Sequence, residues 1–132
     1  MKTNNLTKKV LIADDDVEYR NILDKIFFKN YETDFALNAN EEIEKAKQNE
    51  YALIVTDNQM KDGYGNSGIY AIEQIRKFDK ETPIVLNTSN TALDIAVEAL
   101  QKGANEVTNK RLDFEKFREM LGKYLIGDGG GN

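Results

Sequence analysis

Short, almost unbroken aliphatic runs alternate along this chain with longer segments in which apolar residues recur every three or four positions. KVLIA (9–13), YALIVT (51–56) and PIVLN (83–87) are runs of the first kind. Aliphatic runs without polar alternation suit strands buried on both faces, as in a parallel sheet. TDFAL (33–37) and EVTN (106–109) are weaker versions, expected nearer the sheet edges. In the second kind, Tyr19, Ile22, Leu23, Ile26 and Phe27 follow the spacing of one helix face. Ile69, Ile72 and Ile75 mark another face, and Leu93, Ala96, Val97 and Leu100 a third. Phe114, Phe117, Leu121, Tyr124 and Leu125 mark the last. These apolar side chains are assigned to the core. A weaker helix is expected over 41–47 with Asn40 as its N-cap. Gly103, soon after Leu100, fits a glycine helix stop.

Strand and helix therefore alternate five times. That order predicts an α/β fold: a single doubly wound five-stranded parallel sheet with five helices, covered on both faces. No internal repeat or second domain is evident. One domain is expected over 1–126, followed by a flexible Gly-rich tail, GDGGGN, over 127–132.

Composition narrows the chemistry more than the fold. A length of 132 residues fits one domain, and 40% apolar residues can build its core. The net charge of −5 argues against a basic footprint, so no direct nucleic-acid binding is expected. No apolar run approaches the roughly 18 residues of a membrane span, and the start carries no signal-peptide core. A cytoplasmic protein without membrane contact is expected. The chain has neither cysteine nor histidine. Disulfides, thiol chemistry, imidazole bases and a phosphohistidine on this chain are excluded. What remains is carboxylates, hydroxyls, lysine, backbone amides and a borrowed metal.

In an open parallel sheet, ligands bind beyond the carboxyl ends of the strands. Asp14 and Asp15 follow the first strand, Asp57 the third, Thr88 and Ser89 the fourth, and Lys110 the fifth. Clustered carboxylates need a cation, and Mg2+ is the natural one, a hard ion that prefers oxygen. No Gly-rich Walker-type loop is present for a nucleotide. One carboxylate can instead be the nucleophile, attacking phosphorus to give an acyl phosphate. A metal and a lysine would offset charge on the phosphoryl oxygens while a hydroxyl donates to another. Asp57, at the end of the central run with partners on either side, is the best nucleophile. Asp16, directly before the first helical pattern, is read as the helix N-cap, leaving Asp14 and Asp15 to the metal.

VLIADDD (10–16), LIVTDNQM (53–60), IVLNTS (84–89) and GANEVTNK (103–110) resemble the strand ends of a response-regulator receiver domain, a CheY-like module of two-component signalling. The resemblance covers about residues 8–125. It implies the flavodoxin/CheY-like strand order 2-1-3-4-5. It implies that Asp57 is phosphorylated by a histidine kinase, a histidine phosphotransfer protein or a small phosphodonor, and dephosphorylated slowly by its own catalysis. Asp15, Asp57 and the backbone carbonyl of Gln59 would bind magnesium directly, with Asp14 acting through a metal-bound water. Thr88 and Lys110 would contact the phosphoryl group, supported by Ser89 and Asn58. A downstream protein would meet the face built from the fourth and fifth helices and the fifth strand. The chain would work through protein partners or be one piece of a longer regulator.

Four features depart from the family pattern. Lys61 stands where a proline usually follows Met60, and the loop DNQMKDGYGNSG (57–68) is about three residues longer than usual. Its glycines and Asn66 predict a mobile, turn-rich segment overhanging the site. Arg111 replaces the proline that usually follows Lys110. A trans bond is expected there, with some displacement of the lysine or the loop. Val107 replaces an aromatic residue that usually turns inward on activation. These departures keep open a receiver-like binding module that works without phosphorylation. A phosphatase with an aspartyl-phosphate intermediate would want an acid two residues after the nucleophile, where Gln59 stands.

Overall fold

Five parallel strands form one sheet in the order β2-β1-β3-β4-β5 in the computed structural model, which describes residues 8–111 and 114–125. The chain runs β1 (Lys9–Ala13), α1 (Val17–Phe27), β2 (Glu32–Ala36), α2 (Ala39–Gln48), β3 (Leu53–Thr56), α3 (Ser67–Arg76), β4 (Ile84–Thr88), α4 (Leu93–Lys102), β5 (Glu106–Asn109) and α5 (Phe114–Gly122). The expected fold class and strand order are those observed. The tail over 127–132 lies outside the described residues.

Alternation along the strands divides the interior in two. Val10, Ile12, Leu53, Val55 and Val85 pack against Leu23 and Phe28 from the α1 side and Phe117, Met120 and Leu121 of α5. Leu11, Ala13, Ile54, Ile84 and Leu86 face Ala39 and Ala46 of α2, Ile69, Ala71, Ile72 and Ile75 of α3, and Ala99 of α4. Every residue of β3 and β4 is buried, which is why these runs carry no polar alternation.

Three local expectations change. The N-cap of α2 is Asn38, whose Oδ1 accepts from the Glu41 amide at 2.8 Å; Asn40 lies inside the first turn. The face of α4 that reaches the core is Ile95 and Ala99, not Leu93, Ala96, Val97 and Leu100. Leu93, Val97 and Leu100 are exposed by 78%, 43% and 50%, so these large apolar side chains of the helix stand outside the core. Apolar residues surround too much of α4 for spacing to fix its inner side, and the small Ala99 permits the closer approach. Ile22 of α1 and Phe114 of α5 are likewise exposed, while Leu23, Phe117 and Leu121 are buried. Gly103 does close α4, at φ 123° with its amide bonded to Ala99 and Leu100 carbonyls. No described helix is long and apolar enough to cross a membrane.

Candidate functional site

Strand register sets the site. Ala13 of β1 pairs with Thr56 of β3, and the Asp57 amide donates to the Ala13 carbonyl at 2.9 Å. The next residues, Asp14 and Asp57, therefore emerge side by side. On the other flank the Lys110 amide donates to the Thr88 carbonyl at 3.0 Å, carrying the lysine across the end of β4. Oxygens of Asp14, Asp15 and Asp57 lie within 4.8 Å of one another. Lys110 Nζ is 2.8 Å from Asp14 Oδ2 and 3.5 Å from Asp57 Oδ2.

Asp14 and Asp57 are buried, at 2% and 6% exposure, which makes their charges expensive. Burial and the Asp14 charge push the Asp57 carboxyl up to about 6, against the pull of Lys110 and the amides of Asn58 and Gln59. Burial also raises Asp14, although Lys110 and the Asp16 amide oppose it. Lys110 loses hydration by burial, yet its bond to Asp14 and the charges of Asp14 and Asp57 outweigh that and raise it. Three carboxylates facing one ammonium leave a deficit of positive charge, and every donor is a hard oxygen. The set fits a divalent cation such as magnesium, held by Asp14, Asp15 and Asp57.

Asp16 stands apart from that cluster. Its Oδ1 accepts from the Tyr19 amide at 3.1 Å and caps α1, while its own amide donates to Asp14 Oδ1 at 2.9 Å. Thr88 is fully buried and its Oγ1 accepts from the Asn90 amide at 3.3 Å; Ser89 is exposed beside it. Asn58 turns its side chain away toward α3, accepting from the Ile69 amide at 3.1 Å and donating to Asn66 Oδ1 at 3.0 Å. Only its backbone N–H reaches Asp57. Gln59 is exposed on the loop rim.

The long loop after Asp57 is turn-rich as expected, with Lys61, Gly63 and Gly65 at positive φ, and Asp62 ties it to its surroundings. Asp62 accepts from the Ala39 amide at 2.8 Å, the Ser67 hydroxyl at 2.6 Å and the Tyr64 amide at 3.3 Å. Partial burial works to raise the Asp62 carboxyl, and these donors outweigh it and lower it. Tyr64 stacks on Tyr70 at 4.2 Å and donates its hydroxyl to Asn40 Oδ1 at 3.1 Å. Gly68 lets α3 come close: a Cβ there would lie 2.6 Å from the Asp57 carbonyl oxygen.

Among the described residues no peptide bond is cis, so Lys110–Arg111 is trans as expected. The Lys110 ammonium reaches both Asp14 and Asp57, and residues 112–113 of the loop that follows lie outside the described residues. Asn109 Oδ1 pins the turn by accepting from the Arg111 amide at 2.8 Å. Val107 is half-buried against the α3–α4 side of the core, and Lys61 and Arg111 are exposed.

Four residues near the site make polar contacts that the hydrophobic pattern does not disclose. Tyr19 accepts from Asn87 Nδ2 at 2.8 Å, and Asn87 Oδ1 accepts from the Thr108 hydroxyl at 2.8 Å. The fourth, Glu42, is fully buried and accepts from the Thr56 hydroxyl at 2.8 Å, with its Oε2 unpartnered. The one available signal was Asn87, a polar residue inside an otherwise aliphatic run that had to find partners.

Residues 10–122 match the family model described as the response regulator receiver domain. The chain belongs to that family. Receiver domains of two-component response regulators also supply its relatives. The transcriptional regulatory protein ZraR of Klebsiella oxytoca is 30% identical over 117 residues, 88% of this chain and 26% of that protein. The chain thus spans about a quarter of this curated relative. The response regulator TrrA of Thermotoga maritima, solved in complex with Mg(2+)-BeF, superposes with TM-score 0.78 at 28% identity, covering 90% of this chain and 100% of that one. A Saccharomyces cerevisiae co-crystal structure of the histidine phosphotransfer protein Ypd1 and the receiver domain of Ssk1 gives TM-score 0.78 at 25% identity, covering 89% of this chain and 88% of that one.

Proposed function

We propose that this receiver domain, over residues 1–126, takes a phosphoryl group onto Asp57 from a histidine kinase or histidine phosphotransfer protein and releases it slowly by hydrolysis. The observation that carries the reading is Lys110 Nζ lying 2.8 Å from Asp14 and 3.5 Å from Asp57 inside a buried acidic cluster. With its carboxyl near 6, Asp57 is mostly ionised at neutral pH and able to attack. Its oxygen forms a bond to phosphorus as the P–N bond to the donor imidazole breaks, the electron pair leaving with the imidazole. Lys110 and the Thr88 hydroxyl meet the phosphoryl oxygens, supported by the Asn58 amide and Ser89. Magnesium, held by Asp14, Asp15, Asp57 and the Gln59 carbonyl, would supply charge neutralisation on those oxygens. Support for metal and donor comes from the TrrA complex with Mg(2+)-BeF and the Ypd1 complex of a similar receiver.

The exposed Leu93, Val97 and Leu100 on α4 support the α4–β5–α5 surface as the face that meets a downstream protein. Its place would be the cytoplasm, where such donors work. The test is incubation with magnesium and a small acyl phosphate, followed by intact-mass measurement. A hydroxylamine-labile phosphoryl adduct on wild type, absent from Asp57→Asn, is expected. No adduct on wild type leaves the phosphorylation-independent module as the reading, and an adduct kept by Asp57→Asn overturns Asp57 as the phosphoacceptor.

A further inference from the structure

Lysine is a compact charge on a flexible four-carbon stem, so holding its ammonium between two carboxylates requires something besides the carboxylates. Here the Lys110 ammonium also lies 4.5 Å from the centroid of the Tyr19 ring, within the range of a cation–π contact. The ring is itself held at its far end. Asn87 Nδ2 donates to the Tyr19 hydroxyl at 2.8 Å, and the Thr108 hydroxyl donates to Asn87 Oδ1 at 2.8 Å.

The chain of contacts ties three elements together. Tyr19 comes from α1, Asn87 from β4 and Thr108 from β5, and Asn87 and Thr108 are register partners across the sheet. Asn87 is 2% exposed and Thr108 7%. Burying an amide in an aliphatic strand costs free energy unless its groups are bonded, and here both ends of the amide are used. Asn87 directly precedes Thr88, and Thr108 lies two residues before Lys110. The polar pair therefore sits beneath both residues expected to meet a phosphoryl group.

We propose that Tyr19 is the positioning residue for Lys110: its ring face holds the ammonium over the gap between Asp14 and Asp57, and Asn87 with Thr108 fixes the ring. The kinetic consequence rests on the phosphoacceptor reading above. The geometric one does not. In a packing-only role the three residues fill space, and the lysine finds the carboxylates unaided.

The experiment follows the Lys110 Hε resonances by NMR alongside the rate of phosphorylation by a small acyl phosphate and the magnesium affinity. In wild type the ring should shift those protons upfield. Tyr19→Leu should abolish the shift and slow phosphorylation about tenfold, with magnesium affinity changed by less than about twofold. Tyr19→Phe keeps the π face but loses the bond from Asn87, and should show a reduced upfield shift and a rate between those of wild type and Tyr19→Leu. Thermal unfolding checks that each variant is folded, and Tyr19→Met replaces Tyr19→Leu as the ring-free variant if the latter is not. An unchanged Hε shift in the ring-free variant overturns the proposal, as does Tyr19→Phe being impaired as severely as Tyr19→Leu. If wild type takes no phosphoryl group, the functional reading fails while the NMR comparison still decides the placement of Lys110.

Discussion

At the scale of single residues, neighbouring carboxylates do different work because the backbone aims them differently. Asp14 and Asp15 join Asp57, while Asp16 turns back to cap α1. Asp15→Asn should therefore weaken magnesium binding at least about tenfold, while Asp16→Ala should leave it nearly unchanged and cost about 1 kcal/mol of stability. Isothermal titration and urea unfolding separate the two effects. Equal losses of affinity would refute the division. Glu42 makes a second residue-scale prediction. Burial, opposed by the Thr56 bond and aided by the Asp62 charge, pushes its carboxyl from 4.5 up to about 8. The folded chain thus holds a proton that the unfolded chain releases between those values, so stability falls as pH rises through that window, by at most about 1.4 kcal/mol per pH unit. Glu42→Gln should flatten this part of the profile and be more stable than wild type at pH 8, as read from denaturation midpoints in the presence of chelator.

At the scale of elements, all five strands fall where the apolar runs predict them, to within two residues at either end. β1 and β5 begin and end where the aliphatic pattern does; β2 and β4 are shifted by a single residue. The inner face of α4 was illegible because its apolar residues nearly encircle it, and two asparagines two positions apart left the N-cap of α2 ambiguous. Strand order and register bring Asp14, Asp15, Asp57 and Lys110 together, and each follows a recognisable strand. The Tyr19–Asn87–Thr108 chain joins residues up to 68 positions apart, a pairing that no local pattern encodes. Nor did the glycines of the long loop disclose that Asp62 would fasten it to α2. Gly68 matters for a different reason, close approach of α3 to the end of β3. Gly68→Ala would press a methyl against the Asp57 carbonyl at 2.6 Å and Leu86 Cδ1 at 2.7 Å, and should destabilise by about 1–3 kcal/mol. Gly122→Ala, which meets nothing within 4 Å, is the control and should be neutral or slightly stabilising in the same urea experiment.

For the whole molecule, the sheet separates two packed layers but ends in one charged edge, so events at that edge report on global stability. Magnesium binding the folded state alone should stabilise it by about 2.7 kcal/mol at a hundredfold excess over its dissociation constant. That corresponds to a rise in Tm of roughly 10 °C for a chain of this size. Asp57→Asn should melt higher than wild type without metal, because it removes one of the crowded buried charges, and should respond much less to magnesium. Differential scanning calorimetry with and without chelator measures both. A variant that melts below metal-free wild type would contradict the repulsion inferred from the raised Asp57 and Asp14 carboxyls.

The ammonium that bridges Asp14 and Asp57 also acts as a built-in counterion, a placeholder that partly satisfies the cluster before any guest arrives. An incoming cation must share or displace it, so affinity for the guest reflects a competition fought inside the protein rather than the bare strength of the carboxylates. Such a site trades tight capture for readiness: its charge is only partly offset at rest, yet it remains easy to refill and to empty.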